Sequence, residues 1–186
     1  MPTKELPSPE LLRKLLDYDP ETGELWWKPR PVELFKQGAS QQWACDKWNK
    51  RYAGKQAFKT LSDKGYYRGL LFSKQMFTHR VVWAVHYGKH PVGWLDHING
   101  DTTDNRITNL REVTPRQNAQ NSKRHCQNRS GVTGVRWQKN IQKWVVRITV
   151  RYKTHYLGCF ETIEEAAAAR KAAEIKYGFH ENHGRA

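Results

Sequence analysis

Acidic residues are missing from a long part of this chain. Between Glu112 and Glu161 there is no Asp or Glu, although the segment contains many Lys and Arg residues. The whole chain of 186 residues has 32 Lys and Arg against 18 Asp and Glu, and a formal net charge of +14. A long segment of one charge sign repels itself, and a polyanionic partner explains it best. Nucleic acid is the expected partner, and an anionic membrane or a merely solubilising surface explains the charge less well.

Long apolar runs are also missing. No stretch approaches the roughly 20 residues of a membrane-spanning helix, and no N-terminal segment has the order of a signal peptide. These absences predict a soluble, cytoplasmic protein that does not bind a membrane.

Cysteine is scarce, and its spacing excludes two kinds of scaffold. The three residues Cys45, Cys126 and Cys159 lie far apart and form no CxxC pair. A zinc ribbon or a disulfide framework needs closer or paired cysteines. We therefore expect reduced thiols and no structural zinc.

The N-terminal part predicts short, mixed elements. A helix follows Ser8-Pro9, a strand covers 24–28, and residues 29–54 are expected to be irregular, with Trp43 and Trp48 as anchors. Strands at 66–72 and 76–77 precede a helix at 78–87, with Thr78 as its cap and Gly88 as its end. Aromatic and basic residues alternate around 66–74, which fits either a DNA-contacting sheet or a scaffold.

The middle of the chain predicts two strands and a helix. Strands at 92–96 and 110–113 enclose a polar loop at 97–108, and Thr114-Pro115 opens a helix that carries Asn118. Residues 127–131 are polar, lack apolar periodicity and resemble a linker.

The C-terminal part predicts three strands followed by a helix. The strands cover 134–137, 144–151 and 155–160, and a capping box at 162–165 opens an alanine-rich helix that ends at Tyr177. Alternation along the second strand predicts that Trp144, Val146 and Ile148 face the helix. Arg147, Thr149 and Arg151 then face outward.

Asp96 and His97 are adjacent, and Asn109 and Asn118 follow His97 at 12 and 21 positions. Phosphodiester hydrolysis needs an activated water and charge neutralisation at the phosphate. A neutral imidazole can accept a proton near pH 7, and Asp and Asn oxygens suit Mg²⁺ or Mn²⁺. An Asn can also brace the loop, and Asn99 and Asn105 compete with Asn109 for that task.

The order and spacing of these residues resemble the HNH endonucleases of phages. The resemblance covers residues 78–121 and includes THRVVW, DHINGD, DNRITNLREVT and RQNAQNS. It implies a ββα-metal fold with one divalent ion, Mg²⁺ or Mn²⁺, held by Asp96 and Asn118, with His97 as general base and Asn109 as loop brace. Asn118 replaces the last histidine of the family's name, which makes zinc-type ligation improbable.

Three further side chains near this set have open roles. His79 is expected to pack in its helix or to contact phosphate, and Arg106 and Arg111 are alternative phosphate contacts.

The C-terminal part resembles the DNA-binding domain of the plant ethylene-response factors. The motifs are GVTGVRW at 131–137, KW at 143–144, YLGCF at 156–160 and EEAA at 164–167. The resemblance implies a three-stranded antiparallel sheet packed on one helix, with the outer face of the sheet in the major groove. The DNA-contacting residues would be Arg136, Trp137, Arg147, Thr149, Arg151 and Tyr156.

These observations predict an α+β protein with a ββα-metal nuclease core. Its expected parts are an N-terminal mixed α/β extension at 1–77, the core at 78–124, a linker at 125–130 and a DNA-binding domain at 131–180. The expected function is a metal-dependent homing or nicking DNA endonuclease that acts on double-stranded DNA, as a monomer, in the host cytoplasm if phage-encoded. The alternative is a sequence-specific DNA-binding regulator with an inactive nuclease fold, and cleavage of RNA or nonspecific killing fits less well.

Overall fold

A computed structural model describes residues 7–185 as a mixture of short helices and small antiparallel sheets. The predicted α+β class is therefore confirmed. The chain forms two compact units, Met1–Val113 and Thr114–Ala186, and residues 1–6 and 186 of these lie outside the described part. Within the described part, no helix is both long and apolar enough to cross a bilayer.

The first unit begins with a helix and a three-stranded antiparallel sheet. Helix α1 (Pro9–Leu15) starts at Ser8, whose hydroxyl accepts a hydrogen bond from the Leu11 amide. Strands β1 (Leu16–Asp19), β2 (Glu24–Trp27) and β3 (Gln56–Ala57) follow in that spatial order. The cap and the proline at the first turn were both readable from the sequence.

Residues 29–54 are not irregular throughout, contrary to the prediction. Helix α2 (Gln41–Tyr52) occupies part of this region and buries only Cys45. Its Trp48 ring packs edge-on against Trp27 at 5.5 Å, but Trp43 is 63% exposed and anchors nothing. The prediction failed because Ser40 makes no side-chain capping bond and the helix has no continuous apolar stripe.

A second sheet leads into the helix at the centre of the first unit. Strands β4 (Thr60–Leu61), β5 (Tyr67–Leu71) and β6 (Lys74–Phe77) are antiparallel, and helix α3 (Thr78–Tyr87) follows directly. Gly88 ends α3 in the left-handed region, as predicted. Thr78 is not the cap, since Phe77 holds that position and the Thr78 hydroxyl donates to the Phe58 carbonyl at 2.8 Å.

One core holds these elements together. Each fully buried Leu or Val contributes roughly 1.5–3 kcal/mol through removal from water. The largest side chains of this kind in the first unit are Leu12, Leu15, Leu16, Leu25, Leu71, Val81 and Val82. The core fixes α3 against α1, β1 and the second sheet.

Two antiparallel strands close the first unit. Strand β7 (Trp94–His97) pairs with β8 (Leu110–Val113), so that Asp96 lies opposite Arg111 and His97 opposite Leu110. The strand predicted at 92–96 therefore starts two residues later and ends one residue later, at 94–97. The strand predicted at 110–113 is confirmed.

The second unit contains a short helix, a sheet and a longer helix. Helix α4 (Pro115–Gln120) begins with a capping box formed by Thr114 and Gln117. Strands β9 (Val135–Gln138), β10 (Lys143–Val150) and β11 (Lys153–Phe160) form an antiparallel sheet with β10 in the middle. Helix α5 (Ile163–Lys176) packs on this sheet, and Ala166, Val135 and Val146 form the core between them. The predicted sheet-plus-helix architecture is therefore present, and the expected domain bounds stay predictions.

Candidate active site

Asp96 and His97 are the last two residues of β7, where the strand passes into the polar loop. Both are buried, with exposures of 8% and 3%. Neighbouring strand residues point to opposite faces, so each of the two side chains has its own surroundings.

An arginine on the paired strand holds the Asp96 carboxylate. Both Nε and Nη2 of Arg111 donate to Oδ2 of Asp96, at 3.1 and 2.8 Å. Two charge-assisted hydrogen bonds from a rigid guanidinium fix the orientation of a carboxylate strongly. Sequence analysis proposed Arg111 only as a phosphate contact, although its position directly opposite Asp96 follows once the register of the hairpin is known.

The His97 ring lies among other rings and one amide. Its Nε2 is 3.4 Å from Oδ1 of Asn105, and its centroid is 5.3 Å from that of His79 and 5.8 Å from that of Tyr66. Burial lowers the pKa of His97, while the Asn105 bond and the carboxylates of Asp96 and Asp101 oppose this shift. The imidazole is therefore neutral near pH 7, which is the form that accepts a proton.

His79 serves packing rather than contact with solvent or phosphate. Its ring is 9% exposed and stacks with Phe77, and burial lowers its pKa to about 3. A neutral, buried ring beside His97 limits the movement of the His97 imidazole.

Asn109 braces the loop that follows His97. Its Oδ1 accepts from the Asn99 amide at 2.9 Å, and its Nδ2 donates to the Asp104 carbonyl at 2.8 Å. Its own backbone carbonyl accepts from Ile98. Asn109 is 7% exposed and uses both its donor and its acceptor, whereas Asn105, one of the competitors, lies against His97 instead. Whether Asn109 is required for catalysis stays a prediction.

The first sheet supports the same loop from outside, through residues that sequence analysis did not single out. The Tyr18 hydroxyl donates to the Asn105 carbonyl at 3.1 Å and accepts from the Ile107 amide at 2.8 Å. A Cβ on Gly23 would lie 2.5 Å from the Arg106 nitrogen, and Gly23 has a φ of +77°. Only glycine combines that conformation with so close a backbone approach. A turn sequence such as DPETG at 19–23 does not reveal what the turn packs against.

The two arginines proposed as phosphate contacts are engaged with carboxylates. Arg111 binds Asp96, and Arg106 binds Asp104 through Nη2 at 2.6 Å. The sequence spacing could not show which carboxylate each arginine binds, because the fold of the loop and of the hairpin decides this.

Asn118 lies on α4 and therefore belongs to the second unit. It is half-buried, and its carbonyl accepts a hydrogen bond from the Asn121 amide at 3.1 Å. Asn121 is 2% exposed, so the end of α4 is firmly packed within that unit. The role of Asn118 as a ligand stays a prediction.

The donor set near Asp96 suits one kind of ion. Among residues 7–185, no three His, Cys, Asp or Glu side chains form a group that could hold a metal ion. Mg²⁺ is bound by one or two carboxylates and keeps several waters. A single buried, oriented carboxylate such as Asp96 therefore fits Mg²⁺ or Mn²⁺.

The residues expected to contact DNA lie on the C-terminal sheet, except Arg151, which follows the end of β10, and Trp137 is on the same face as Trp144 rather than on that of Arg136. Arg136, Arg147, Thr149 and Arg151 are exposed, Tyr156 is 60% exposed, and Trp137 is 37% exposed and packs against Trp144. The Tyr156 hydroxyl lies 2.7 Å from the Cys159 sulfur, and this hydrogen bond raises the pKa of Tyr156. Their function as a DNA-binding set stays a prediction.

The central part of the chain is similar to a known family. The sequence profile of the HNH endonucleases matches residues 76–120. The solved structure of the HNH homing endonuclease I-HmuI, concerned with DNA binding and cleavage, is similar with a TM-score of 0.40 and 24% identity. The alignment covers 63% of this chain and 56% of that one.

A curated relative extends the match beyond the profile. Protein 3.8 of Escherichia phage T7 is 32% identical over 97 residues, which are 52% of this chain and 80% of the relative. With the HNH profile over β6, α3, the β7–β8 hairpin and α4, this match places the chain in a family. The chain belongs to the HNH endonucleases.

Proposed function

We propose that this protein is a metal-dependent DNA endonuclease of the homing or nicking type. The observation that carries the proposal is the end of β7, where an oriented carboxylate and a neutral imidazole belong to consecutive residues and the loop that follows them is braced by Asn109. Each active site would cut one strand, because the chain contains one such constellation in its described part.

The residues of the first unit divide the chemistry between them. His97 accepts the proton of the attacking water, and its lowered pKa keeps it in the accepting form. Arg111 keeps Asp96 in one orientation, and Asn109 with Tyr18 holds the loop backbone next to His97. The half-buried ring of Tyr66 and the buried ring of His79 limit the freedom of the imidazole.

One divalent ion, Mg²⁺ or Mn²⁺, would be held by Asp96 and Asn118. When bound, such an ion neutralises charge at the scissile phosphate and at the leaving oxygen. Asp96 contributes a hard anionic oxygen, and Asn118 contributes a neutral one on α4.

The C-terminal sheet would position the enzyme on double-stranded DNA. Arg136, Arg147 and Arg151 are exposed on a segment without acidic residues, and Arg binds guanine edges and phosphates well. A nuclease site that contacts mainly phosphate reads little sequence, so a tethered binding module adds affinity through effective concentration. We expect the protein to act as a monomer on its target DNA.

The test is plasmid nicking with Mg²⁺ or Mn²⁺, comparing the wild type with His97→Ala. Loss of a general base lowers the rate by about 10²–10⁴-fold. The control is His125→Ala, an exposed histidine of the second unit, which should leave the rate unchanged. Equal rates for the wild type and His97→Ala would remove His97 from the mechanism.

A protein that binds DNA, ignores chelator and never cuts would instead be a DNA-binding regulator with an idle nuclease fold. The experiment therefore measures DNA affinity alongside nicking, so that the two functions are separated.

A further inference from the structure

A groove in the first unit combines aromatic and basic side chains away from the active site. It has a volume of about 900 Å³ and lies between α2, the turn after β3, and the middle strand of the second sheet. Trp27, Trp48 and Phe58 are among the residues that line it. Nothing in the nuclease chemistry uses these residues.

The groove has a strong local excess of positive charge. Four cations line it, namely Arg51, Lys55, Lys59 and Arg68, and no Asp or Glu does. The chain as a whole has 18 acidic residues for 32 basic ones, so an all-basic lining departs from the average. None of the four is among the ion pairs found in the described residues.

These cations are placed by the fold. Arg51 lies over the Tyr52 ring at 5.2 Å. Lys55 and Lys59 are exposed residues on either side of β3. The Gln75 amide, oriented with its oxygen towards Arg68, accepts from Nη1 at 2.6 Å and Nε at 2.9 Å. The guanidinium of Arg68 is thus held without neutralisation of its charge.

We propose that this groove binds the phosphate backbone of the DNA substrate. The inference rests on the proposed function, since a DNA endonuclease brings a polyanion to the chain. Its support is charge complementarity, because a row of unneutralised cations gains affinity by releasing the counterions of DNA. Exposed Leu70 and Tyr52 at the rim offer apolar contact to sugars.

A lipid surface fits this groove less well. Anionic membranes attract protruding basic residues on a helix that lies flat on the bilayer. Here the cations line a recess, and a recess admits a strand of a polymer rather than a surface.

The expectation from sequence concerned residues 66–74, of which Arg68 and two neighbours line the groove. It involved the aromatic and basic residues around Tyr66 and Lys74, but Tyr66 packs against His79 and His97 in the structure. The groove depends on α2, which the sequence did not reveal.

The test measures DNA affinity against salt concentration in the presence of chelator. The groove variant replaces Arg51, Lys55 and Lys59 by Gln. The matched control replaces Lys14, Lys64 and Lys89 by Gln. These three lysines are exposed in the same unit and do not line the groove. Each lost phosphate contact reduces the slope of log K against log salt by about 0.9. We expect the slope of log K against log salt to become shallower by about 2–3 in the groove variant and by less than about 0.5 in the control.

Phosphate-ethylation interference locates the contacts. The groove variant should lose interference at a small set of phosphates, and the control should keep the wild-type pattern. Thermal melting checks that both variants fold, which is expected because all six side chains are exposed. Equal slopes for the two triple variants, or unchanged interference in the groove variant, would overturn the proposal.

The outcome is separable from that of the proposed nuclease. If the groove variant loses slope, the control does not, and the wild type never cuts, the groove stands and the endonuclease fails. If the wild type cuts and the groove variant binds like the control, the endonuclease stands and the groove fails.

Discussion

Asp96 and His97 are consecutive residues of β7, and their side chains point to opposite faces of the strand. Their surroundings therefore differ. Asp96 meets the guanidinium of Arg111, whereas His97 meets an amide and two rings. The carboxylate therefore keeps its orientation and the imidazole keeps its neutral form, through different sets of contacts. This division lets two adjacent residues perform two tasks.

The burial of His79 has a measurable consequence for stability. Its pKa is lowered to about 3, against about 6.5 in an unfolded chain. Between these values the unfolded state binds a proton that the folded state does not, so stability is complete above about pH 6.5 and falls as the pH falls. We predict that the free energy of unfolding of the wild type drops by about 2 kcal/mol more than that of His79→Phe between pH 7 and pH 5.

Urea unfolding at several pH values measures this difference. The control is His125→Phe, an exposed histidine whose replacement should leave the pH dependence of the wild type intact. Parallel curves for the wild type and His79→Phe would show that His79 titrates normally.

At the scale of elements, the loop between β7 and β8 is fixed by hydrogen bonds together with one core contact, that of Ile107. Asn109 ties its two sides together, and Tyr18 from β1 ties it to the first sheet. Most of the other loop residues are polar, so these bonds supply most of the contacts that hold the loop in place.

Removal of the Asn109 side chain should loosen this loop. Each lost side-chain bond is worth about 1 kcal/mol, so Asn109→Ala should raise amide exchange at Asn99 by roughly 30-fold. Asn109→Asp keeps the acceptor for the Asn99 amide but loses the donor to Asp104, and should lie between the wild type and Asn109→Ala. Hydrogen exchange read out by mass spectrometry measures the effect, and wild-type protection in Asn109→Ala would contradict it.

Sequence and structure agree where local signals are strong. The caps at Ser8, Thr114 and Thr162 and the alternation along β10 each carry a physical signature in a few residues. Helix α2 carries no such signature, because it packs against Trp27 of β2 and against the irregular segment at 30–35, and such contacts leave no local pattern. The pairing of Arg111 with Asp96 and the approach of Gly23 to the loop were equally hidden, since both depend on register and tertiary packing.

At the scale of the molecule, positive charge is spread over both units. The first unit has its basic groove, and the second has the exposed arginines of the C-terminal sheet. The proposed function and the proposed groove assign binding and cutting to different residues, so we expect mutation to separate the two.

Replacement of Arg147 and Arg151 by Ala should weaken binding without slowing the chemical step. Contacts from Arg to bases are worth about 1–3 kcal/mol each, so affinity for a specific site should fall by at least about tenfold. The single-turnover nicking rate at saturating protein should stay within about twofold of the wild type. A double replacement of Lys171 and Lys176 on α5 is the control, since both are exposed in the same unit. A large fall in the single-turnover rate of Arg147→Ala/Arg151→Ala would contradict the separation.

Mn²⁺ binding to the protein–DNA complex, followed by electron paramagnetic resonance, tests the central claim most directly. The account predicts one ion per chain in the wild type, and binding weakened on the order of tenfold or more in Asp96→Ala and in Asn118→Ala. Asn128→Ala, which removes an amide elsewhere in the second unit, should bind the ion like the wild type. Wild-type affinity in both Asp96→Ala and Asn118→Ala would contradict the account.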